Sequence, residues 1–160
     1  MAKPVPAANP KKQLDSFLAR YNPGIASLAR RALRTMRKRL PGSLEMVYDN
    51  YNALVIGFVP NERPSDAIFS IVLYPRHVSL CFLQGAGIPD PRQRLLGSGH
   101  VARHVRLLSS STLDEPEIVS LMNAALQRAK VPLDPKLPRR VIIKAVSARQ
   151  RPRRPSKNIG

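Results

Sequence analysis

Three apolar runs in the middle of the chain constrain its fold most strongly. "ALVIGFV" (53–59), "AIFSIVLY" (67–74) and "HVSLCFL" (77–83) are rich in β-branched and aromatic residues, which favours β-strands. The connections "PNERPSD" and "PR" are typical of hairpin turns. Both alternating sets of side chains in the second run are mostly apolar, which predicts a central strand or one covered on both faces. The runs therefore predict a meander of antiparallel strands.

Two more strands flank this meander. "LEMVYDNY" (44–51) is a short mixed run that predicts a strand, and "VARHVRLL" (101–108) alternates between apolar and polar residues. Between the last two strands, "QGAGIPDPRQRLLGSGH" carries glycines and prolines and predicts a long loop.

Three segments have helical spacing. Residues 14–21 place Leu, Phe, Leu and Tyr on one face. Asn22-Pro23 is typical of an N-cap followed by a first-turn proline, and predicts a second helix that ends near Leu40. Asp114 and Glu117 match a capping box for a third helix. The apolar face of this third helix contains Ile118, Leu121, Met122, Ala125 and Ala129.

The order ααβββββα predicts an α+β fold. We expect a two-layer sandwich: a mainly antiparallel sheet of about five strands with the helices packed on one face. Residues 12–133 form the predicted domain, and the proline-bearing residues 1–11 are expected to be disordered. Residues 134–160 are expected to be a basic Pro/Arg-rich tail, mostly disordered. Within it, "VIIKAV" (141–146) is an apolar island that either docks on the domain or forms an edge strand.

Charge is concentrated at the two ends of the chain. Residues 1–50 hold ten Lys/Arg against three acids, residues 51–129 hold seven against six, and residues 130–160 hold ten against one, for a net charge of +17. Such ends are typical either of plain solubility or of attraction to a polyanion. No apolar run approaches the roughly 20 residues of a membrane span, the start lacks a secretory signal, and Cys81 is the single cysteine. These features favour a cytoplasmic protein.

Four motifs in combination resemble one family. "MVYDNYNALVIGF", "YPRHVSLCFLQGAGIPDP", "LLGSGHVARHVRL" and "AALQRAKVPLD" are similar to the bacterial YdhG-like family, a domain of unknown function. The resemblance covers about residues 14–133, and the tail "KAVSARQRPRRP" is similar to that of one subset. The resemblance implies a frataxin-like or related α+β sandwich, and it implies the role proposed for one member, intracellular iron chaperone.

The chain departs from the frataxin pattern where iron would bind. Frataxin-type iron binding uses an acidic ridge on the first helix and the adjoining strand, whereas Asp15 is the only acid in the first forty residues here. Hard cations prefer carboxylate ligands, so the iron role is only an alternative for this chain. None of the family's iron-binding residues has a recognisable counterpart in the sequence.

The loop "GSGHVAR" is the best candidate site for a small anionic ligand. Successive backbone N–H groups together with an arginine form anion-binding nests, and a tight turn requiring positive φ is the alternative. Two tyrosines are predicted to line the same pocket, with a position in the core as the alternative for Tyr48. The candidate residues are Tyr48, Tyr51, Gly97, Ser98, Gly99, His100 and Arg103.

The sequence contains few residue patterns that indicate metal binding or catalysis. His100 and His104 have ligand-like spacing, but no Cys, Asp or Glu lies near them in sequence, and two surface histidines are the simpler interpretation. Cys81 sits in an apolar strand and is expected to be inert. No metal site, no cofactor and no arrangement of nucleophile, base and orienting group is predicted.

The basic segments form the candidate nucleic-acid site. A flexible polycation binds phosphates through counterion release with little sequence preference. The tail has no aromatic residue for base stacking, so readout of single-stranded bases is not expected. The candidates, on the second helix and in the tail, are Arg30, Arg34, Arg37, Lys38, Arg139, Arg140, Arg149, Arg151, Arg153 and Arg154.

The sequence thus predicts a non-enzymatic binding or accessory module. Its core would bind a small anionic ligand or a protein partner, with nucleic-acid association through the basic segments and iron handling as the alternatives.

Overall fold

The computed structural model describes residues 9–155 of the 160-residue chain. Three helices, α1 (Pro10–Leu18), α2 (Pro23–Arg39) and α3 (Pro116–Gln127), combine with one six-stranded sheet. The strands are β1 (Leu44–Asp49), β2 (Leu54–Val59), β3 (Phe69–Leu73), β4 (Val78–Phe82), β5 (Arg103–Leu107) and β6 (Arg140–Val146). The predicted α+β class is confirmed, with one strand more than expected.

The sheet is an open, mostly antiparallel layer with the order β5-β4-β3-β2-β1-β6. Neighbouring strands are antiparallel except β6, which runs parallel to β1. All five residues of β3 are buried, as its apolar sequence predicts for a central strand.

One face of the sheet and the helices share a single core. The register aligns Ile56, Ile71, Leu80 and Val105 across four adjacent strands. They belong to one buried cluster with residues of all three helices, among them Met36 of α2. The alternating strand pattern therefore generates the helix-covered face of a two-layer arrangement.

The N-terminal helix begins earlier than expected. The predicted disordered segment 1–11 lies partly outside the described residues, but α1 starts at Pro10 rather than at Leu14. The Asn9 side chain accepts a hydrogen bond from the Lys11 N–H at 3.0 Å. Asn9-Pro10 is therefore the same N-cap and first-turn proline signal as Asn22-Pro23.

The predicted capping box of α3 is displaced. Pro116 occupies the first turn and Glu115 is the N-cap, while Asp114 ends a preceding 3₁₀ turn at Ser110–Asp114. A capping box is present there instead, between Ser109 and Thr112. Proline is favoured at the first helical position because it has no N–H to satisfy, and this preference sets the start of α3.

The C-terminal segment differs most from expectation. The sequence predicts a mostly disordered tail at 134–160, outside a domain that ends at 133, but residues 140–146 form β6. The pairing continues beyond β6, with Arg151 N–H donating to the Tyr51 carbonyl at 2.9 Å. Arg153 is only 4% exposed. The segment from 140 to 154 therefore belongs to the domain, and residues 156–160 lie outside the described part.

Two buried carboxylates explain this docking. Glu45 and Asp49, both on β1, are each 1% exposed. A buried charge is tolerated only when it is paired and hydrogen-bonded. Arg139 pairs with Glu45, and Arg153 Nη2 lies 2.8 Å from Asp49 Oδ1. The tail thus supplies cations that the first strand requires.

Candidate functional site

Every carboxylate side chain of the protein is already engaged. Eight form ion pairs with arginine: Asp15, Glu45, Asp49, Glu62, Asp66, Asp114, Glu115 and Glu117. Asp90 accepts backbone N–H groups at 2.9 and 2.8 Å, and Asp134 accepts one at 3.0 Å. The ten acids therefore act as internal partners.

This engagement leaves many cations unbalanced. Of the 27 lysines and arginines, 25 lie in residues 9–155, nine of these are in ion pairs, and sixteen have no carboxylate partner there. The sixteen are Lys11, Lys12, Arg31, Arg34, Lys38, Arg76, Arg92, Arg103, Arg106, Arg128, Lys130, Lys136, Lys144, Arg149, Arg151 and Arg154. A surface with this imbalance attracts anions.

The predicted cationic residues divide into two groups. Arg30 pairs with Asp15 and Arg140 with Glu62, whereas Arg37 and Arg139 together hold Glu45. Arg153 is buried against Asp49. Half of the ten candidates are therefore internal partners of acids. The other half have no carboxylate partner within residues 9–155, and they are Arg34, Lys38, Arg149, Arg151 and Arg154.

Glu45 is the most tightly held of these acids. Arg37 donates to it from Nε at 3.0 Å and from Nη2 at 2.8 Å. Burial on its own raises the pKa of Glu45, but the hydrogen bonds and charges of Arg37 and Arg139 outweigh it and hold the pKa below the usual 4.5. The carboxylate is therefore charged and acts as a structural anchor.

The loop at Gly97–Arg103 is built differently from the predicted nest. Gly97 has a φ of 117°, so the turn requires glycine there. The Arg103 guanidinium donates to the carbonyls of Gly99 and Ala102, so it closes the loop upon itself. A Cβ at Gly85 would lie 2.6 Å from the Arg103 Cβ, and glycine at 85 thus permits this close approach.

The two tyrosines predicted for the same pocket lie elsewhere. Tyr48 is on β1, which three strands separate from β5 and Arg103. Tyr51 follows β1, at the end of the sheet where β1 passes into β2, whereas Arg103 pairs with Phe82 at the opposite end. The structure therefore does not bring Tyr48 and Tyr51 to the loop.

A cleft of about 560 Å³ does lie beside the loop. His100 and Val101 contribute from the loop, and Arg128 and Lys130 from the end of α3, over an apolar floor that includes Ile88. Asp66 also lines the cleft, but it is paired with Arg63. The structure thus brings His100 to two cations that sequence spacing did not connect with it.

His100 and His104 occupy different parts of this region. His104 is on β5, where its backbone bridges to Leu96, and His100 lies in the loop and lines the cleft. Within residues 9–155 there is no group of three or more His, Cys, Asp or Glu side chains placed to hold a metal ion.

Burial raises the pKa of the Cys81 thiol, and a hydrogen bond with Ser70 partly opposes the shift.

A second cationic cleft, of about 740 Å³, lies at the other end of the sheet. It is formed by the β3–β4 turn and the docked C-terminal segment, and it is lined by Asn52, Tyr74, Pro75, Arg76, His77, Arg151, Pro152, Arg154 and Pro155. The sequence run "YPRH" between two strong strands signals an exposed turn, but only the fold shows that the tail lies against it.

No family model, curated protein or solved structure matches this chain. No helix in residues 9–155 is long and apolar enough to cross a membrane.

Proposed function

We propose that the protein is a non-enzymatic binding module for phosphate-bearing polyanions, nucleic acid above all. The observation that carries this proposal is the charge balance: each of the ten carboxylates is engaged, and sixteen cations of residues 9–155 have no carboxylate partner. Neutralising phosphates with such cations releases condensed counterions, which favours binding with little sequence preference.

We also propose that the protein belongs to the YdhG-like family and is located in the cytoplasm. The four quoted motifs support membership of the YdhG-like family, and the α+β class of the structure is compatible with it. The single cysteine, Cys81, supports a reducing, cytoplasmic setting. The iron-chaperone role that the resemblance implies stays a prediction, which the metal content after chelator-free purification tests.

Fluorescence anisotropy of labelled DNA and RNA with the full chain tests polyanion binding. We expect micromolar affinity at low salt, with log K falling steeply as salt rises from about 50 to about 200 mM. Replacing both Arg31 and Arg34 of α2 by glutamine should weaken binding and reduce the salt slope by about 1 for each phosphate that is no longer neutralised. Absence of binding at about 50 mM salt would overturn the proposal.

The cleft beside the Gly97–Arg103 loop supports a second candidate, binding of a small anionic ligand by the core. Its lining combines apolar residues with His100, Arg128 and Lys130, which is typical of sites for small amphipathic anions. A thermal-shift screen of carboxylates and phosphates tests this candidate. A hit should lose its stabilising effect in the Lys130→Gln variant and keep it in Lys136→Gln, an exposed cation outside the cleft.

A further inference from the structure

The C-terminal segment is held in a fixed position at one end of the sheet. Ser147 N–H donates to the Asp49 carbonyl at 2.9 Å, and Arg151 N–H donates to that of Tyr51 at 2.9 Å. Arg153 is anchored by Asp49 and by the carbonyl of Asn50. Because Arg153 points into the protein, its neighbours Arg151 and Arg154 are fixed at the surface rather than carried on a free chain.

A third arginine lines the same cleft as these two. Arg76, in the turn between β3 and β4, lines the same 740 Å³ space as Arg151 and Arg154. No acid lines the cleft, and none of the three guanidinium groups has a carboxylate partner in residues 9–155. Guanidinium groups match phosphate oxygens with paired N–H donors, so the cleft is suited to phosphate groups.

Aromatic rings accompany the three arginines. The Tyr74 ring stacks on His77 with centroids 4.6 Å apart and an interplanar angle of 25°. Tyr74 keeps 37% of its surface exposed, and Arg151 lies over the Tyr51 ring at 5.7 Å from its centroid. Burial, assisted by the charges of Arg106 and His104, lowers the pKa of His77, so the ring stacked on Tyr74 is neutral at neutral pH.

An aromatic ring beside phosphate-binding groups allows a site to discriminate between single-stranded nucleic acid, duplex nucleic acid and acidic peptides. Bases of a single strand stack on exposed aromatic side chains, and this contact tolerates any sequence because every base has a π-face. In a duplex the base faces are covered by neighbouring base pairs, so only the phosphates reach the arginines. Acidic peptides satisfy the arginines but have no base for the ring.

We propose that this cleft binds an unpaired stretch of nucleic acid, with phosphates held by Arg76, Arg151 and Arg154 and a base stacked on Tyr74. The inference rests on the proposed polyanion binding and names its preferred form. The tail contains no aromatic residue, so its sequence alone predicts no base stacking. The fold changes this prediction, because the turns against which the tail docks supply the aromatic rings.

The test compares one labelled single strand of about ten nucleotides, within the range of site sizes for single-strand binders, with a duplex of the same length. We expect the full chain to bind the single strand about tenfold more tightly than the duplex at equal salt. Tyr74→Leu should reduce single-strand affinity to the duplex level, whereas Tyr74→Phe, which keeps the ring, should retain the preference. Circular dichroism checks that both variants fold.

A matched charge control separates the cleft from the general surface. Replacing Arg76 and Arg151 by glutamine should remove the single-strand preference. Replacing Arg31 and Arg34 of α2, which also have no carboxylate partner in residues 9–155, should weaken both ligands by a similar factor and keep the preference. Ultraviolet cross-linking of the single strand should label residues 74–77 or 151–155.

The outcomes distinguish this inference from the function on which it rests. If neither nucleic acid binds, the proposed function fails and the inference fails with it. If both bind equally and Tyr74→Leu changes neither affinity, polyanion binding stands and the cleft inference is overturned. If polyglutamate at equal charge displaces the single strand as well as unlabelled oligonucleotide does, the site recognises charge alone, and the base-stacking inference is overturned too.

Discussion

Two buried carboxylates on one strand organise much of this molecule at the level of single residues. Glu45 lies between Arg37 and Arg139, and Asp49 lies between Arg20 and Arg153. The two arginines from the C-terminal segment are distant from their acids in sequence, so no local spacing predicts the pairs. The sequence shows only two acids in an otherwise apolar strand. Their need for buried cations is a physical requirement, but their partners emerge only in the fold.

Glu45 should make stability depend on acid pH. Its pKa is below 4.5 in the folded protein because the two arginines outweigh the effect of burial. A depressed carboxyl pKa contributes stability that is present above the unfolded value and is lost as pH falls through the folded value. We expect Glu45→Gln to lower the free energy of unfolding near neutral pH by about 2 kcal/mol and to flatten its decline below the unfolded pKa.

Urea unfolding at a series of pH values measures this effect. The matched control is Glu62→Gln, which removes an exposed pair with Arg140 and should cost less than about 1 kcal/mol. An acid profile of Glu45→Gln that runs parallel to that of the wild type would contradict the role assigned to Glu45.

At the level of elements, β6 shows where sequence reasoning fails. Hairpin strands are predictable because their partners follow directly in the chain, as β2, β3 and β4 do. β6 pairs in parallel with β1, although β2 to β5 and α3 lie between them in the chain. Its apolar island 141–146 is visible in the sequence, but its neighbours are prolines and cations, which are typical of disorder. Long-range ion pairs with β1 stabilise the docked position of this segment over a disordered one.

Hydrogen exchange on the full chain tests the docking of this segment. We expect the alternate amides of residues 141–146 that donate to β1, and those of Ser147 and Arg151, to be protected. The other amides of this edge strand face away from β1 and should exchange faster. Arg153→Ala should leave Asp49 paired only with the half-exposed Arg20 and cost about 3 kcal/mol. Exchange in β6 should therefore accelerate in this variant.

Arg149→Ala is the matched control, since Arg149 is exposed and has no carboxylate partner in residues 9–155; it should leave protection intact. Exchange at the rate of an unfolded peptide throughout 140–151 of the wild type would show that the segment is not docked.

At the scale of the whole molecule, the fold class was predictable and the candidate site was not. Strand and helix periodicity in 14–129 suffices for an α+β sandwich, since each pattern specifies its own buried face. The proposed cleft combines a turn at 74–77, a loop residue at 52 and the segment 151–155. Three segments this far apart meet only through tertiary structure. The cationic excess, by contrast, was visible in the composition, but which cations are internal partners was not.

This excess should make the folded protein more stable as salt rises. Ion pairs are weakened by salt, but the acids at the centre of the strongest pairs, Glu45 and Asp49, are buried, and buried pairs are screened much less than exposed charges. The net charge of the chain is +17, and most of the cations in residues 9–155 that have no carboxylate partner are exposed. These cations repel one another in the compact state, and salt screens that repulsion. We therefore expect the urea midpoint to rise between about 50 and about 200 mM sodium chloride.

Two comparisons make this prediction specific. Sulfate at equal ionic strength should raise the midpoint further, because it is excluded from protein surfaces in general and because an anion that binds the cations of the folded state adds stability by mass action. A variant with Arg31, Arg34 and Lys38 replaced by glutamine should be more stable at low salt and less sensitive to added salt. A midpoint that falls as sodium chloride rises would show that ion-pair attraction, rather than repulsion among the unpaired cations, governs the electrostatics of the fold.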